Sequence, residues 1–442
     1  MSLALVLPAI CALAQQVPTA ADGQQAYLFA YPLVLMDVTK EASGGANPHR
    51  FTHLAAFPDA KFRTVVRPNA DTLYSLAWVD LTTEPVLMKV PDTKGRYYLM
   101  QVLDAWTETI GAPGKRTTGT GEGWFAITGS GWNGKLPAGV QRIESATNLV
   151  WIIGRVQTNG PADYANVHAV QRGMRLMPLS RHPDGGGEKQ TVRTPPAAAR
   201  GLTPPEIVEQ MSDIEFFNRF LRLLRANPPH AADEKMSQSL ASLGWKPGVS
   251  IDALPVGEFL SGVAVARKLL ASIEQLRTTR VGSSGWTALN PNIGRYGTNY
   301  LARAVVARVG LGGNPPEDAV YLMCYRDSAG KPLDSGQSYR LHFKKSELPA
   351  VNAFWSITMC DPPGYFVENP AGRYAIGDRD PLVYNADGSL DLYIQREPPA
   401  VKANWLPAPA SGLFVLSFRL YWPRDEILKG KWQPPPLLPA AQ

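Results

Sequence analysis

Cysteine is scarce in this 442-residue chain, with three in all, which excludes a disulfide-stapled scaffold and a Cys-rich metal module. Charge is sparse as well: 19% of residues are charged, against roughly 25% in an ordinary soluble domain. The net charge of +6 is small for this length. No run of Lys or Arg builds a nucleic-acid footprint, so nucleic acid is set aside as a partner. No apolar run reaches the roughly 18 residues a membrane-spanning helix needs, so no integral membrane span is expected. The common catalytic signatures H-E-x-x-H, C-x-x-C and G-x-S-x-G do not occur. Gly129–Lys135 has the glycines of a phosphate loop, but Leu136 follows where Ser or Thr would hold magnesium. Neither a metal nor a cofactor is expected.

What the chain does have is turns. Glycine and proline number 39 each and follow no collagen period, which fits many short strands joined by tight turns. Eleven Trp, 16 Tyr and 14 Phe point the same way. Residues 3–14, LALVLPAICALA, are apolar, and Ala12-Leu13-Ala14 has the small-x-small form of a signal-peptidase site, although no Lys or Arg precedes the run. A signal peptide over 1–14 makes the mature chain periplasmic or secreted. Cys324 and Cys360 then remain in an oxidising compartment, both in strand-like runs, either bridged or free.

Apolar periodicity predicts a helix over 20–42, then strands at Thr64–Val66, Leu73–Leu81, Val86–Val90, Tyr97–Leu103, Trp124–Thr128 and Asn148–Val156, with a helical pattern over 163–178. Residues 182–205 are dense in Gly and Pro and read as a linker or surface loop. Thr203 caps a helix running from Pro204 through Ile207, Met211, Ile214, Phe217, Leu221 and Leu224, and shorter helices follow near 232–243 and 257–280. From Ala319 the pattern is β again, at Ala319–Tyr325, Tyr339–Phe343, Ala353–Met359, Leu382–Tyr384, Leu390–Gln395 and Leu413–Leu420, with Asp387-Gly388 as a hairpin signal. The expected class is α+β. An N-terminal α+β domain (20–181) carries a mixed or antiparallel sheet, a helical connector spans 206–284, and a C-terminal β-sandwich of jelly-roll type spans 285–442.

The histidines are scattered, and only His49 and His53 share a metal-compatible spacing, in a loop context that favours local bonding. Asn385–Asp391 alternates oxygen side chains but lacks the later glutamate of a calcium loop, so it reads as a hairpin. Three segments remain. In Arg67-Pro-Asn69-Ala-Asp71-Thr-Leu-Tyr74-Ser75, a strand from Thr72 leaves Asn69 and Asp71 in the preceding turn, as an Asx turn or as a pocket wall with Tyr74. In Arg96-Tyr97-Tyr98-Leu-Met-Gln101-Val-Leu-Asp104, alternation puts Gln101 on the face of Leu99 and Leu103, as a buried hydrogen-bond hub or a ligand contact. Arg96 and Asp104 could instead pair with each other. Gly114-Lys-Arg116-Thr-Thr-Gly119-Thr-Gly121 is a basic glycine loop suited to a carboxylate or phosphate, or simply a flexible turn.

Taken together, Arg67-Pro-Asn-Ala-Asp-Thr-Leu-Tyr-Ser, Asp80-Leu81, Arg96-Tyr97-Tyr98 and Arg116-Thr-Thr-Gly resemble the family known as domain of unknown function 1254. Tyr296-Gly, Tyr300-Leu-Ala-Arg303-Ala, Phe354-Trp-Ser-Ile-Thr-Met, Asp387-Gly-Ser-Leu and Asn404-Trp-Leu-Pro-Ala-Pro resemble its companion, domain of unknown function 1214. The resemblance covers about residues 25–175 and 285–435. It implies an exported bacterial protein in which an α+β domain precedes a jelly-roll-like one, and it supplies no catalytic residues; Cys360 stands where relatives often carry an aromatic.

Two functions follow from the residues. One is a cofactor-independent hydrolase or lyase acting on a small polar or sugar-like substrate in an interdomain cleft. Asp71 or Asp104 would then be the acid or base, Tyr74 and Arg96 would stabilise charge, and Asn69, Gln101 and Arg116 would bind ligand. The other is a periplasmic binding protein for a glycan or small ligand, with Trp355 and Trp405 as stacking platforms or, alternatively, as core. A homo-oligomer stays open.

Overall fold

In the computed structural model, the residues described are 18–43, 45, 47–63, 67–182, 191–194, 201–279, 281–282 and 284–440. The apolar segment 3–14 and the expected strand Thr64–Val66 lie outside them.

The first ten strands are β1 (Thr52–Leu54), β2 (Thr72–Asp80), β3 (Val86–Val90), β4 (Tyr98–Asp104), β5 (Thr109–Gly111), β6 (Gly123–Thr128), β7 (Gln141–Glu144), β8 (Leu149–Gln157), β9 (Arg175–Pro178) and β10 (Thr191–Arg193). They form a six-stranded sheet in the order β10-β1-β2-β8-β4-β5 and a four-stranded sheet in the order β7-β6-β3-β9. Val102 and Val150 from the first sheet meet Val86 and Phe125 from the second in one apolar core. Alternation places Tyr98, Met100 and Val102 in that core and leaves Leu99, Gln101 and Leu103 on the opposite face. That second face is buried too, which is why every residue of β4 is buried.

The later strands are β11 (Ala319–Cys324), β12 (Tyr339–Phe343), β13 (Val351–Cys360), β14 (Ala375–Gly377), β15 (Leu390–Gln395), β16 (Trp405–Pro407), β17 (Val415–Pro423) and β18 (Leu437–Pro439). Two four-stranded sheets result, β11-β17-β13-β14 and β16-β15-β12-β18, and they share one apolar core. With four sheets and a helical cluster, the protein is α+β. Residues Leu382–Tyr384 form no strand, because the Asn404 side chain takes up the Val383 backbone at both ends: Val383 N donates to Oδ1 at 2.8 Å and Nδ2 donates to the Val383 carbonyl at 2.7 Å. Residues 191–193 of the expected loop instead pair in parallel with β1. Residues 175–178, expected as helix, pair with β3.

Seven helices matter for the rest: α1 (Ala20–Ala42), α2 (Tyr164–Gly173), α3 (Pro204–Gln210), α4 (Asp213–Leu224), α5 (Glu234–Ser242), α6 (Glu258–Thr279) and α7 (Tyr300–Gly310). The single helix expected from Pro204 to Leu224 is broken in two. Met211 leaves the helical region, and Ser212 starts a new helix through a capping box with Glu215. Helix α1 is capped by Thr19 and Asp22 and buried on every side from Ala26 to Met36, as a helix apolar all round must be. It packs with α3 to α7, not only with the strands that follow it in sequence. No described helix is long and apolar enough to cross a membrane.

Candidate functional site

The six-stranded sheet turns its Tyr74, Arg155, Leu99 and Gln101 face toward the Tyr321, Arg419 and Ser356 face of the β11-β17-β13-β14 sheet. Register places these side chains in cross-strand rows: Tyr74 opposite Arg155 and Arg155 opposite Leu99 on one side, Tyr321 opposite Arg419 and Arg419 opposite Ser356 on the other. An aromatic seal of Tyr97, Phe354 and Tyr421 closes part of the junction, with the Phe354 and Tyr421 rings 4.3 Å apart.

At the entry to β2, Asn69 makes the expected Asx turn, its Oδ1 accepting from the N–H groups of Asp71 at 2.6 Å and Thr72 at 2.9 Å. Its Nδ2 donates to the Tyr421 hydroxyl at 2.9 Å and reaches the Tyr74 hydroxyl at 3.5 Å. The turn reading therefore holds, while Asn69 and Tyr74 meet each other and Tyr421 at the junction of the sheets and do not line the cleft beside Asp71. Asp71 is fully buried and takes its partners from the later half of the chain. Ser356 Oγ donates to Oδ2 at 2.7 Å, the Tyr421 hydroxyl donates to the same oxygen at 3.3 Å, and Arg379 pairs with Oδ1. Arg379 Nη1 also donates to the carbonyls of Asp71 at 3.1 Å and Thr158 at 2.8 Å.

A cleft of about 360 Å³ opens beside this pair, and Asp71, Tyr164, Ser356, Arg373, Arg379 and Asp380 are among its walls. Arg373 meets Asp380 at 3.1 Å and donates to the Trp405 carbonyl at 2.8 Å. Trp405 itself is half-buried, its indole N–H donating to the Gln395 carbonyl at 2.8 Å, so it positions Arg373 through its backbone. Next to the cleft, Asp378 is exposed as a residue, yet the protein around it strips enough water from its carboxyl to push it up to about 6 even though Arg379 pulls it down.

Gln101 is the hub that alternation anticipated. It accepts from Arg155 Nη1 at 3.1 Å and donates to Thr109 Oγ1 at 3.0 Å and to the Gly313 carbonyl at 2.9 Å. Tyr74 lies beneath the Arg155 guanidinium, 5.2 Å from ring centre to charge. Arg116 is not a free loop cation: it grips Asp318 in two bonds of 2.7 and 3.0 Å.

The remaining expected site residues fall elsewhere. Arg96 is held by Asp163 at 2.5 and 2.8 Å and by the Gln157 carbonyl at 2.8 Å. Burial would raise Asp163, but the bonds from Arg96, Asn166 and Asn159 outweigh it and hold the carboxyl near about 2. Trp355 is 4% exposed and packed between Phe343 and Phe418, with ring centres 5.9 and 5.6 Å away, so it has no free face on which a ligand could stack. Asp104, fully buried, caps its own loop by accepting from Trp106 N at 2.9 Å and Glu108 N at 3.0 Å. Its other oxygen meets His230 Nε2 at 2.5 Å. Hydrogen bonds that the His230 ring donates to Asp104 and Asp233 raise it to about 9. That cluster borders a second cavity of about 500 Å³, and no spacing rule could have joined His230 to Asp104. Both of its carboxylates and both histidine nitrogens face one another, so the cluster ties the segment between α4 and α5 to the loop after β4.

His49 and His53 form no joint site, since His49 Nε2 bonds the Asp80 backbone at 2.9 Å and His53 Nδ1 meets Ser75 Oγ at 2.9 Å. Cys324 and Cys360 are free and buried, with β17 lying between their strands. Among the described residues no group of His, Cys, Asp and Glu is arranged to hold a metal.

Residues 48–178 match the family described as Protein of unknown function (DUF1254), and residues 318–425 match Protein of unknown function (DUF1214). Among solved structures the chain is similar to the VPA0106 protein from Vibrio parahaemolyticus, at 24% identity and a TM-score of 0.71, covering 96% of this chain and 100% of that one. That likeness shows the fold. An uncharacterized protein from Burkholderia cenocepacia aligns at 13% identity and a TM-score of 0.44, over 94% of this chain and 92% of that one. No curated protein matches.

Proposed function

For a chain that joins a DUF1254 domain to a DUF1214 domain, we propose the role of a binding protein that holds a small polar, sugar-like molecule in the cleft beside Asp71. One observation carries this reading. The cleft has carboxylates and guanidiniums fixed side by side on its walls, with Arg373 against Asp380 and Arg379 against Asp71. Such preset donors and acceptors suit a molecule rich in hydroxyls, because they need no reordering on binding. The apolar segment 3–14 supports an exported protein. Two four-stranded sheets around one core support the jelly-roll-like reading of the C-terminal half.

Catalysis by a cofactor-independent hydrolase or lyase is the second reading, favoured by one contact. Ser356 Oγ donates to Asp71 at 2.7 Å on the cleft wall, which is a hydroxyl beside a carboxylate. Against it, both oxygens of that carboxylate are already engaged, Oδ1 by Arg379 and Oδ2 by the Tyr421 hydroxyl as well as Ser356.

Incubating the purified protein with a cell-envelope metabolite extract, followed by mass spectrometry of bound and free fractions, tests both. Binding predicts that a polar compound co-purifies and is lost on Arg373→Gln, with affinity reduced about 10- to 100-fold for one charge-assisted hydrogen bond. A compound that falls while a product rises, with the product absent for Ser356→Ala, would establish the enzyme instead.

A further inference from the structure

The space between the two facing sheets holds a second set of polar groups, none of which lines the cleft. Arg155 and Arg419 are 5% and 3% exposed. Arg155 spends one nitrogen on Gln101, and Arg419 spends one on the carbonyls of Arg67 at 3.1 Å and Pro68 at 2.8 Å. The Nε of each finds no partner, and the Oδ1 of buried Asn314 finds none either. Among the described residues no carboxylate lies within ion-pair distance of either arginine. Asp71, which Arg419 senses, is already spent on Arg379, Ser356 and Tyr421.

Tyrosines surround the two cations. Arg155 stands over Tyr74 at 5.2 Å and Arg419 over Tyr321 at 5.4 Å. Tyr321 is the one exposed residue of β11, at 37%, although its cross-strand partner Arg419 is buried. Because Tyr321 shares with Arg419 the face turned toward Tyr74 and Arg155, its exposure marks a recess between the two sheets that solvent can reach. The Tyr321 hydroxyl accepts from Asn314 Nδ2 at 3.0 Å.

Buried arginines stay charged, and a buried charge without a counter-charge is destabilising. Proteins therefore pair such charges or use them for a ligand. We propose that this recess binds a small organic carboxylate, with Arg155 and Arg419 facing its anionic group and the Tyr74 and Tyr321 rings against its body. The planar guanidinium matches a carboxylate, and the flanking rings favour an organic body over a bare inorganic anion.

The test is differential scanning fluorimetry of the intact chain with benzoate, succinate, inorganic phosphate or sulfate, for wild type, Arg155→Met and Tyr321→Phe. The expected result is a saturable rise in Tm of about 1–3 °C with a carboxylate. It should vanish in Arg155→Met and persist, weakened, in Tyr321→Phe. Without ligand, Arg155→Met should melt no lower than wild type, because it removes an uncompensated charge. If Arg155→Met does not fold, mass spectrometry of the denatured wild-type chain should release a co-purified carboxylic acid. No shift and no released acid would overturn the proposal, as would an equal shift with phosphate or sulfate, or a shift unchanged in Arg155→Met. Arg373→Gln should leave the shift intact, which separates this site from the cleft.

Discussion

Ser356 and Asp71 lie 285 residues apart in the chain, and the hydroxyl of the first donates to the carboxylate of the second at 2.7 Å with both side chains buried. Arg379 and Tyr421 complete the shell, so one carboxylate from the N-terminal sheets organises three donors from the C-terminal ones. A buried pair of this kind adds little net stability, but removing one partner leaves the other charged and dry. Asp71→Asn should therefore cost about 3–5 kcal/mol in urea unfolding. A loss within about 1 kcal/mol would mean that solvent reaches Arg379 and that Asp71 does not hold the halves together.

Much of this junction was readable before the fold was known. Asn69 announced a turn at the head of a strand, and Gln101 stood out as an amide among leucines. Asn69 proved to be a joint between the sheets through Tyr421, and Gln101 a hub within its own sheet that also reaches the Gly313 carbonyl ahead of β11, because a polar side chain on a doubly buried strand has to find a partner. The missing half of the site consists of Arg155, Arg379, Arg419 and Tyr421. Arg155 and Arg419 occupy single positions in otherwise apolar strands, and ordinary alternation would assign such residues to solvent. Their signal was the apolar character on both faces of β8 and β17, where an arginine has no solvent side to face. Trp355 failed as a ligand platform for the same reason, since both faces of its strand are buried. His230 carried no local signal, because its partner Asp104 arrives through the tertiary fold.

His230 makes stability depend on pH in a defined window. Its folded pKa, raised to about 9 by hydrogen bonds to Asp104 and Asp233, exceeds the ordinary value of 6.5. The protonated form is thus favoured by folding. Its contribution is complete below about 6.5 and is lost as pH climbs through about 9. Urea midpoints should fall across that interval in wild type and fall less in His230→Gln. Parallel curves for the two proteins would mean that the His230–Asp104 contact does not form in solution.

Helices α1 and α6 cross at two glycines. A Cβ on Gly262 would stand 1.8 Å from the Ala20 carbonyl oxygen, and one on Gly23 would stand 2.0 Å from that of Phe259. Neither backbone can yield without separating the helices. Gly262→Ala should lower stability by about 1–3 kcal/mol through overpacking, beyond any gain from alanine's better helix propensity. Thermal unfolding measures it, and a stabilised variant would show that the crossing is looser than this contact requires.

Asp378 works in the opposite sense to His230. Partial loss of hydration raises its carboxyl to about 6 from an ordinary 3.8, with Asp71 adding repulsion and Arg379 opposing. Folding therefore favours the neutral acid, and stability falls as pH rises from 3.8 through about 6. Asp378→Asn keeps an acceptor for the Trp355 N–H, now 3.1 Å from Oδ1, and removes the charge. At pH 8 the variant should be more stable than wild type, and below pH 4 the difference should disappear. Asp378 is nonetheless an exposed residue, so solvent screens most of the penalty and the gain should be well below what the shift alone implies. If the variant were instead less stable at pH 8, the ionised carboxylate would be attracted by Arg379 more than it is penalised by lost hydration. The charge would then belong to the Asp71–Arg379 network as a third member.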